Sequence, residues 1–264
     1  MSRWISPSVH LIAETQIDPV GVERMLAALG APDWHTDAQS QAEELIEIAG
    51  KLCYMSFSTN LNKNLTAVGT RNNRDYIAKG LIGQKHGSVL EHASVTLAFL
   101  NVSRVFTHEL VRHRHGSYSQ TSGRYVRTDK LSGFLPSVIE SDKAAEQIFE
   151  SAFSMMEYFQ AQLERVTRIN EMGADKLSLK KALTSAFRRL LGNGQTTNII
   201  ATYNHRALRQ IIEMRTSRHA EEEIRLVFAE VFDLVCDRYP AIYADAKWEL
   251  VDGYPEVTFE HGRV

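Results

Sequence analysis

The sequence predicts a mixed fold, long helices with at least one strand, in a single domain spanning residues 1–264. Three observations predict it. Val95, Leu97 and Phe99 alternate with Ser94, Thr96 and Ala98, the period of two that a strand imposes on its faces. Two long stretches, 144–166 and 220–235, instead repeat apolar residues every three or four positions, the period of a helix with one apolar side. No internal repeat or low-complexity tract divides the chain, and its six prolines are scattered rather than gathered into a linker.

The first helix is expected over 38–56, where Leu45, Ile48, Leu52 and Met55 share a face. A polar, Asn- and Lys-rich run at 58–73 follows and is expected to form a flexible lid. The strand at 94–99 sets an apolar face against a small, partly polar one that can admit a flat ligand. Residues 104–111 have helical spacing, and continuing that helix puts Glu109, Arg112 and His113 at i, i+3 and i+4, with Gly116 as the point of exit. The stripes Ile148, Ala152, Phe153, Met156, Phe159, Leu163 and Ile224, Val227, Phe228, Val231 are expected to be core. A further helix begins near Asn204 and lines up Asn204, Leu208, Ile211 and Arg215, with Ile212 beside them. A buried unpaired cation costs roughly several kcal/mol, so Arg215 either snorkels to solvent or meets an anion or carbonyl acceptor. Both readings stay open from the spacing alone.

With 264 residues, 44% hydrophobic and 23% charged, the chain can bury a substantial core. A formal net charge of −2 and a pI near 6.6 argue against nucleic acid as a partner, because broad coating needs many phosphate-neutralising cations. Cys53 and Cys236 are too few and too isolated for a disulfide framework or a four-cysteine zinc site, and suit a reducing cytoplasm. There is no apolar leader segment and no apolar run of membrane-spanning length, so a cytoplasmic protein without a membrane partner is expected.

The most informative stretch is Arg112 to Arg124, RHRHGSYSQTSGR, in which Arg112, Arg114 and Arg124 accompany the short hydroxyls of Ser117, Ser119, Thr121 and Ser122. Guanidinium forks pair bidentately with phosphate or carboxylate, and short hydroxyls donate to phosphate oxygens, so the segment reads as an anion site. The plainer reading is a surface loop whose exposed ion pairs are worth little. A zincin site is excluded, since His108 and His113 are one residue too far apart and lie about 140° from each other around a helix. His113 and His115 have no carboxylate or cysteine cluster nearby in sequence, so no catalytic metal is expected. P-loop, dinucleotide-fold and nucleophile-elbow motifs are absent, and neither cysteine has the basic neighbours that activate a thiol.

Arg112-His113-Arg114, then seven residues, then Ser122-Gly123-Arg124-Tyr125 resembles the signature of the flavin-dependent thymidylate synthases. Leu90-Glu91-His92-Ala93-Ser94 is similar to that family's Glu-His segment. Asn204-His205-Arg206, Gln210, Met214-Arg215, His219-Ala220 and Glu223-Ile224-Arg225 resemble its C-terminal site helices, so the likeness runs from Cys53 to Arg225. The resemblance implies an α+β fold, an antiparallel sheet flanked by long helices. It also implies reductive methylation of dUMP to dTMP with FAD as cofactor, NADPH as reductant and 5,10-methylenetetrahydrofolate as one-carbon donor, with no cysteine nucleophile. On the same ground Arg215 is the catalytic residue, set against the uracil to stabilise an ionised N3. His92, Ser94, Arg112, His113, Arg114, Gln120, Asn204, His205, Arg206 and Gln210 are assigned to the flavin, His113 also to the folate. Glu109, Arg112, Gln120, Thr121, Ser122, Gly123, Arg124, Arg188 and Arg215 are assigned to the nucleotide. A homotetramer with sites shared between subunits is implied as well. Two departures stand out: Gly192 occupies the place of a usual proline, and Glu109 and Gln120 exchange the glutamine and glutamate that some members carry.

Two other classes bear on the same residues. A single-strand-binding module would use Arg112, Arg114, Arg124 and Arg127 with Tyr118 and Tyr125 as stacking platforms, against the acidic total charge. A catalytically idle nucleotide- or flavin-binding relative would keep the arginines and lose turnover through the altered Gly192 region.

Overall fold

The computed structural model describes residues 3–57, 71–126 and 130–262. The polar run expected to form a lid falls outside these except for its last three residues, and Arg127 falls outside them too. In order, the elements are β1 (Ser8–Glu14), α1 (Pro19–Ala28), α2 (Gln41–Tyr54), β2 (Ser94–Ser103), α3 (Arg104–Leu110), β3 (Gly116–Gln120), α4 (Lys143–Thr167), α5 (Leu177–Phe187), β4 (Thr196–Asn204), α6 (His205–Thr216), α7 (Glu222–Arg238), β5 (Ala246–Val251) and β6 (Tyr254–Phe259). Four strands form an antiparallel sheet in the order β1-β2-β4-β3, and β5 pairs with β6 as an antiparallel hairpin in which Trp248 faces Val257. This sheet with its long helices is the expected α+β architecture. Among the described residues no helix is long and apolar enough to cross a membrane.

The chain resolves into two compact units. The first comprises Met1–Ser8, Ala98–Arg112 and Tyr118–Ile200. Here α3 starts because the Ser103 hydroxyl accepts the Phe106 N–H at 3.0 Å, and Phe106 and Leu110 are buried. The helix stops at Leu110, two residues short of Arg112, so the expected helical face of Glu109, Arg112 and His113 does not form. The Arg112 N–H reaches back only three residues, to the Glu109 carbonyl, a tightened last turn, and Gly116 opens β3 instead of ending a helix. α4 is capped by Asp142, whose carboxylate accepts the Ala144 and Ala145 N–H groups. Its stripe corrects a second expectation: only Phe153 is buried, edge-on to Trp4 at 5.2 Å, whereas Ile148 and Phe159 are 69% and 48% exposed. Helical periodicity reports that a side is apolar, not which surface covers it.

The second unit comprises Val9–Leu97, His113–Ser117 and Ala201–Val264. Val95 and Leu97 are buried as the alternation predicts, and on the small face the Thr96 and Thr202 hydroxyls meet at 2.9 Å. Leu208, Ile211 and Ile212 of α6 and Ile224, Val227, Phe228 and Val231 of α7 are core. In α2 the buried side is Ala42, Glu43, Ile46, Glu47, Ile48, Gly50 and Lys51, while Leu52 of the expected apolar face and Met55, just past the helix end, are exposed. These polar groups tolerate burial because they are satisfied: Glu43 accepts the Ala241 N–H at 2.7 Å, and Glu47 accepts Asn73 Nδ2 at 2.7 Å and pairs with Lys51 at 3.5 Å.

Candidate functional site

In the second unit the site grows from the start of α6. Asn204 caps the helix, its side-chain oxygen accepting the Ala207 N–H at 2.8 Å, and this fixes the helix rotation. Leu208, Ile211 and Ile212 turn inward, and Arg206 and Gln210, four residues apart, turn outward. Arg206, Ala207, Gln210 and Asn204 line a cavity of about 450 Å³ with Glu91, His115 and Gly262. Arg206 donates from Nη1 to the Glu91 carboxylate. His92 is exposed at the end of the helical turn Gly87–His92, and the half-buried Ser94 donates its N–H to Thr15 Oγ1 at 2.8 Å.

Arg215 donates its Nε–H to His113 Nε2 at 2.8 Å. The guanidinium therefore meets neither an anion nor a carbonyl in this contact but an imidazole lone pair. Accepting that bond requires a neutral ring with its proton on Nδ1. Burial, and then the Arg215 charge, push His113 down to about 4 and keep it in that form. Arg114 is exposed. His205 lies in the interior, fully buried, with Nδ1 3.1 Å from the Tyr243 hydroxyl and its ring edge-on to Tyr239, and burial pushes it down to about 3. Of the residues expected around a flavin, Asn204, Arg206 and Gln210 thus reach the cavity wall, and His205 faces the core.

In the first unit, Ser122 organises a tight turn: its carbonyl accepts the Tyr125 and Val126 N–H groups and its hydroxyl the Arg124 N–H at 3.4 Å. The turn brings Gly123 between two arginines, so that a Cβ there would lie 3.4 Å from Arg104 Nη2 and 3.8 Å from Arg188 Cδ. Arg104, Gly123, Thr184, Arg188 and Gln195 border a small cavity of about 40 Å³. Burial, and then the neighbouring Arg188 charge, lower the Arg104 pKa. Gln120 donates to Thr107 Oγ1 at 3.3 Å, Thr121 donates its N–H to the Asn198 carbonyl at 2.9 Å, and Arg112 and Arg124 are exposed. Glu109, half-buried, is the last but one residue of α3. At Gly192 the N–H that a proline would lack donates to Met156 Sδ at 3.1 Å. Its carbonyl accepts the Gln195 N–H, and the Asn193 carbonyl accepts the Val105 N–H, so the glycine-containing loop is a turn.

Arg104, Glu91, His115 and Gly262 line these candidate cavities, and sequence reasoning did not assign them. Glu91 and His115 sit inside the motifs that were read, but nothing local marks Arg104, eight residues ahead of Arg112, or Gly262, near the other end of the chain from Glu91.

Comparison with known proteins places these geometries in context. The family model described as thymidylate synthase complementing protein matches residues 36–241. A flavin-dependent thymidylate synthase from Mycobacterium avium is 38% identical over 242 residues, covering 90% of this chain and 88% of its own. One from Mycobacterium leprae is 37% identical over 253 residues, covering 93% and 92%. Among solved structures, thymidylate synthase X from Helicobacter pylori with FAD and dUMP has a TM-score of 0.57 at 17% identity, over 90% of this chain and 98% of its own. The UMP/dUMP methylase PolB from Streptomyces cacaoi, bound with 5-Br UMP, reaches 0.59 at 16% identity over 90% and 92%. These structural likenesses concern the fold.

Proposed function

The chain belongs to the thymidylate synthase complementing protein family, the flavin-dependent thymidylate synthases, and on that premise we propose that it methylates dUMP reductively to dTMP, using 5,10-methylenetetrahydrofolate as one-carbon donor and NADPH as reductant. The observation that carries this reading is the convergence of Asn204, Arg206 and Gln210 of α6 on one cavity with Glu91 and His115. That donor set fits FAD: a guanidinium and a carboxamide suit phosphate and ring carbonyls, and an open cavity of about 450 Å³ admits part of a dinucleotide. When bound, FAD supplies the reducing equivalents of the reaction. His92, Ser94, His113 and Arg114 of the second unit are proposed for the flavin surroundings, His205 for fixing the start of α6 from the interior, and Arg112 and Gln120 of the first unit are proposed for the flavin on the family resemblance alone.

For the nucleotide, the converging Arg104 and Arg188 beside Gly123 support a phosphate subsite, with Arg112, Arg124, Ser122, Thr121, Gln120 and Glu109 around it. Arg215, oriented by neutral His113, is proposed to stabilise negative charge developing at the uracil N3. His113 thereby holds the guanidinium without neutralising its charge.

The exposed apolar side of α4 supports a homotetramer whose sites draw on more than one chain, each copy acting as one functional domain over 1–264. Its two thiols suit the cytoplasm. The test is the visible spectrum of the purified protein with FAD, reduced anaerobically and then mixed with dUMP and 5,10-methylenetetrahydrofolate. Reoxidation that requires both substrates is expected; absence of flavin binding at saturating FAD overturns the reading.

A further inference from the structure

We propose that the stretch in which the chain leaves β6, Phe259–Gly262, is a wall of the flavin cavity, and that Arg209 is the positioning residue that fixes it there; the inference rests on the flavin reading of that cavity. Gly262 borders the cavity together with Arg206 and Gln210. Arg209 lies between those two on α6, but faces the other way and is only 4% exposed. Its Nη1 donates to the Ile242 carbonyl at 2.6 Å, and its fork grips both oxygens of Asp245, at 2.8 and 2.9 Å. The Phe259 ring covers the guanidinium at 4.1 Å.

What Asp245 does with its remaining capacity links this ion pair to the cavity. Its Oδ2 accepts the His261 N–H at 3.0 Å, and its backbone carbonyl accepts the Glu260 N–H at 3.2 Å. Glu213, one turn further along α6, accepts the Phe259 N–H at 3.5 Å. A Cβ on Gly262 would lie 2.7 Å from Glu213 Oε2, so a larger residue there would push the Glu213 carboxylate aside. The helix that presents Arg206 and Gln210 to the ligand therefore also sets the opposing wall, through Arg209 and Glu213. A bidentate fork matters because it fixes the direction of the Asp245 carboxylate, which a lysine's point charge does not.

The experiment compares full-length wild type, R209K and H261P for FAD affinity, read as fluorescence quenching at equilibrium, alongside melting temperature without FAD. H261P removes the His261 N–H that Asp245 accepts, along with the imidazole, and leaves Arg209 and Asp245 themselves unchanged; G262V, which alters the wall directly, serves if H261P fails to fold. The expected result is a roughly tenfold weaker FAD affinity in R209K and in H261P or G262V, with far-UV circular dichroism retained, and a smaller gain in melting temperature on adding FAD than wild type shows. A merely structural role predicts lower melting temperatures with wild-type FAD affinity, and that result overturns the proposal while leaving the flavin reading intact. Wild type that fails to bind FAD overturns both.

Discussion

Arg215 and His113 form the most informative pair at the residue scale, because the direction of one hydrogen bond fixes a protonation state. Protonating His113 would remove the lone pair that Arg215 uses and place two cations in contact. We expect the His113 ring to stay neutral at pH 6, with a midpoint near its depressed value of about 4, and its titration to move upward in R215A; nuclear magnetic resonance of the imidazole protons checks both. The linkage has a definite sign. His113 and His205 have folded values below the usual 6.5, so the unfolded chain binds more protons as the solution is acidified. The stability they contribute is present above about pH 6.5 and is lost as pH falls toward 4 and then 3. Melting temperatures between pH 7.5 and 5 should decline accordingly, and a flat profile contradicts the assignment. R215A itself should keep its fold and lose turnover by roughly 10²–10³-fold, the usual loss on removing a preorganised group that stabilises developing charge. Unchanged turnover would remove Arg215 from the chemistry.

At the scale of elements, what the sequence revealed depended on whether burial followed hydropathy. The α7 stripe and the alternation of β2 were legible because the residues that define them, Ile224, Val227, Phe228, Val231 and Val95, Leu97, Phe99, are apolar and buried, although α7 also buries Glu223 and Arg225. The inner side of α2 was not, since it carries Glu43, Glu47 and Lys51, and their partners Ala241 and Asn73 are remote in sequence. The end of α3 was illegible for another reason: its residues up to Arg112 all tolerate a helix, and only the local hydrogen bonding ends it. In the candidate site, Arg206 and Gln210 were readable from a motif, whereas Arg104 becomes visible only when the Ser122 turn brings Gly123 to it. Gly192 offers a test at this scale. Leu191 before it is already extended, the conformation that precedes a proline without clash. G192P thus loses the N–H to Met156 Sδ and gains unfolded-state rigidity, and its stability should change by no more than about 1 kcal/mol in denaturant titration. A loss of several kcal/mol would show that the glycine is required by the local backbone path.

For the whole molecule, the unresolved demand of the sequence is the outer side of α4. Ile148, Met155, Phe159 and Val166 recur at spacings that keep them on one side of a 25-residue helix, and all four are exposed. On the proposed homotetramer reading this stripe is an interface between copies, and the double substitution I148E/F159E should then shift light-scattering mass from a tetramer to smaller species without changing the far-UV spectrum. A wild-type monomer of full activity would sink the shared-site reading. The family resemblance implies the homotetramer, and periodicity by itself does not, because the spacing of an interface helix and that of a core helix are the same. In a homotetramer joined through this stripe, durability is also a matter of abundance. Association adds a stabilising term that grows with the logarithm of concentration, so a dilute sample should melt at a lower temperature than a concentrated one. In a cell, the newly made chain would be at its most vulnerable to aggregation and proteolysis while its copies are still scarce.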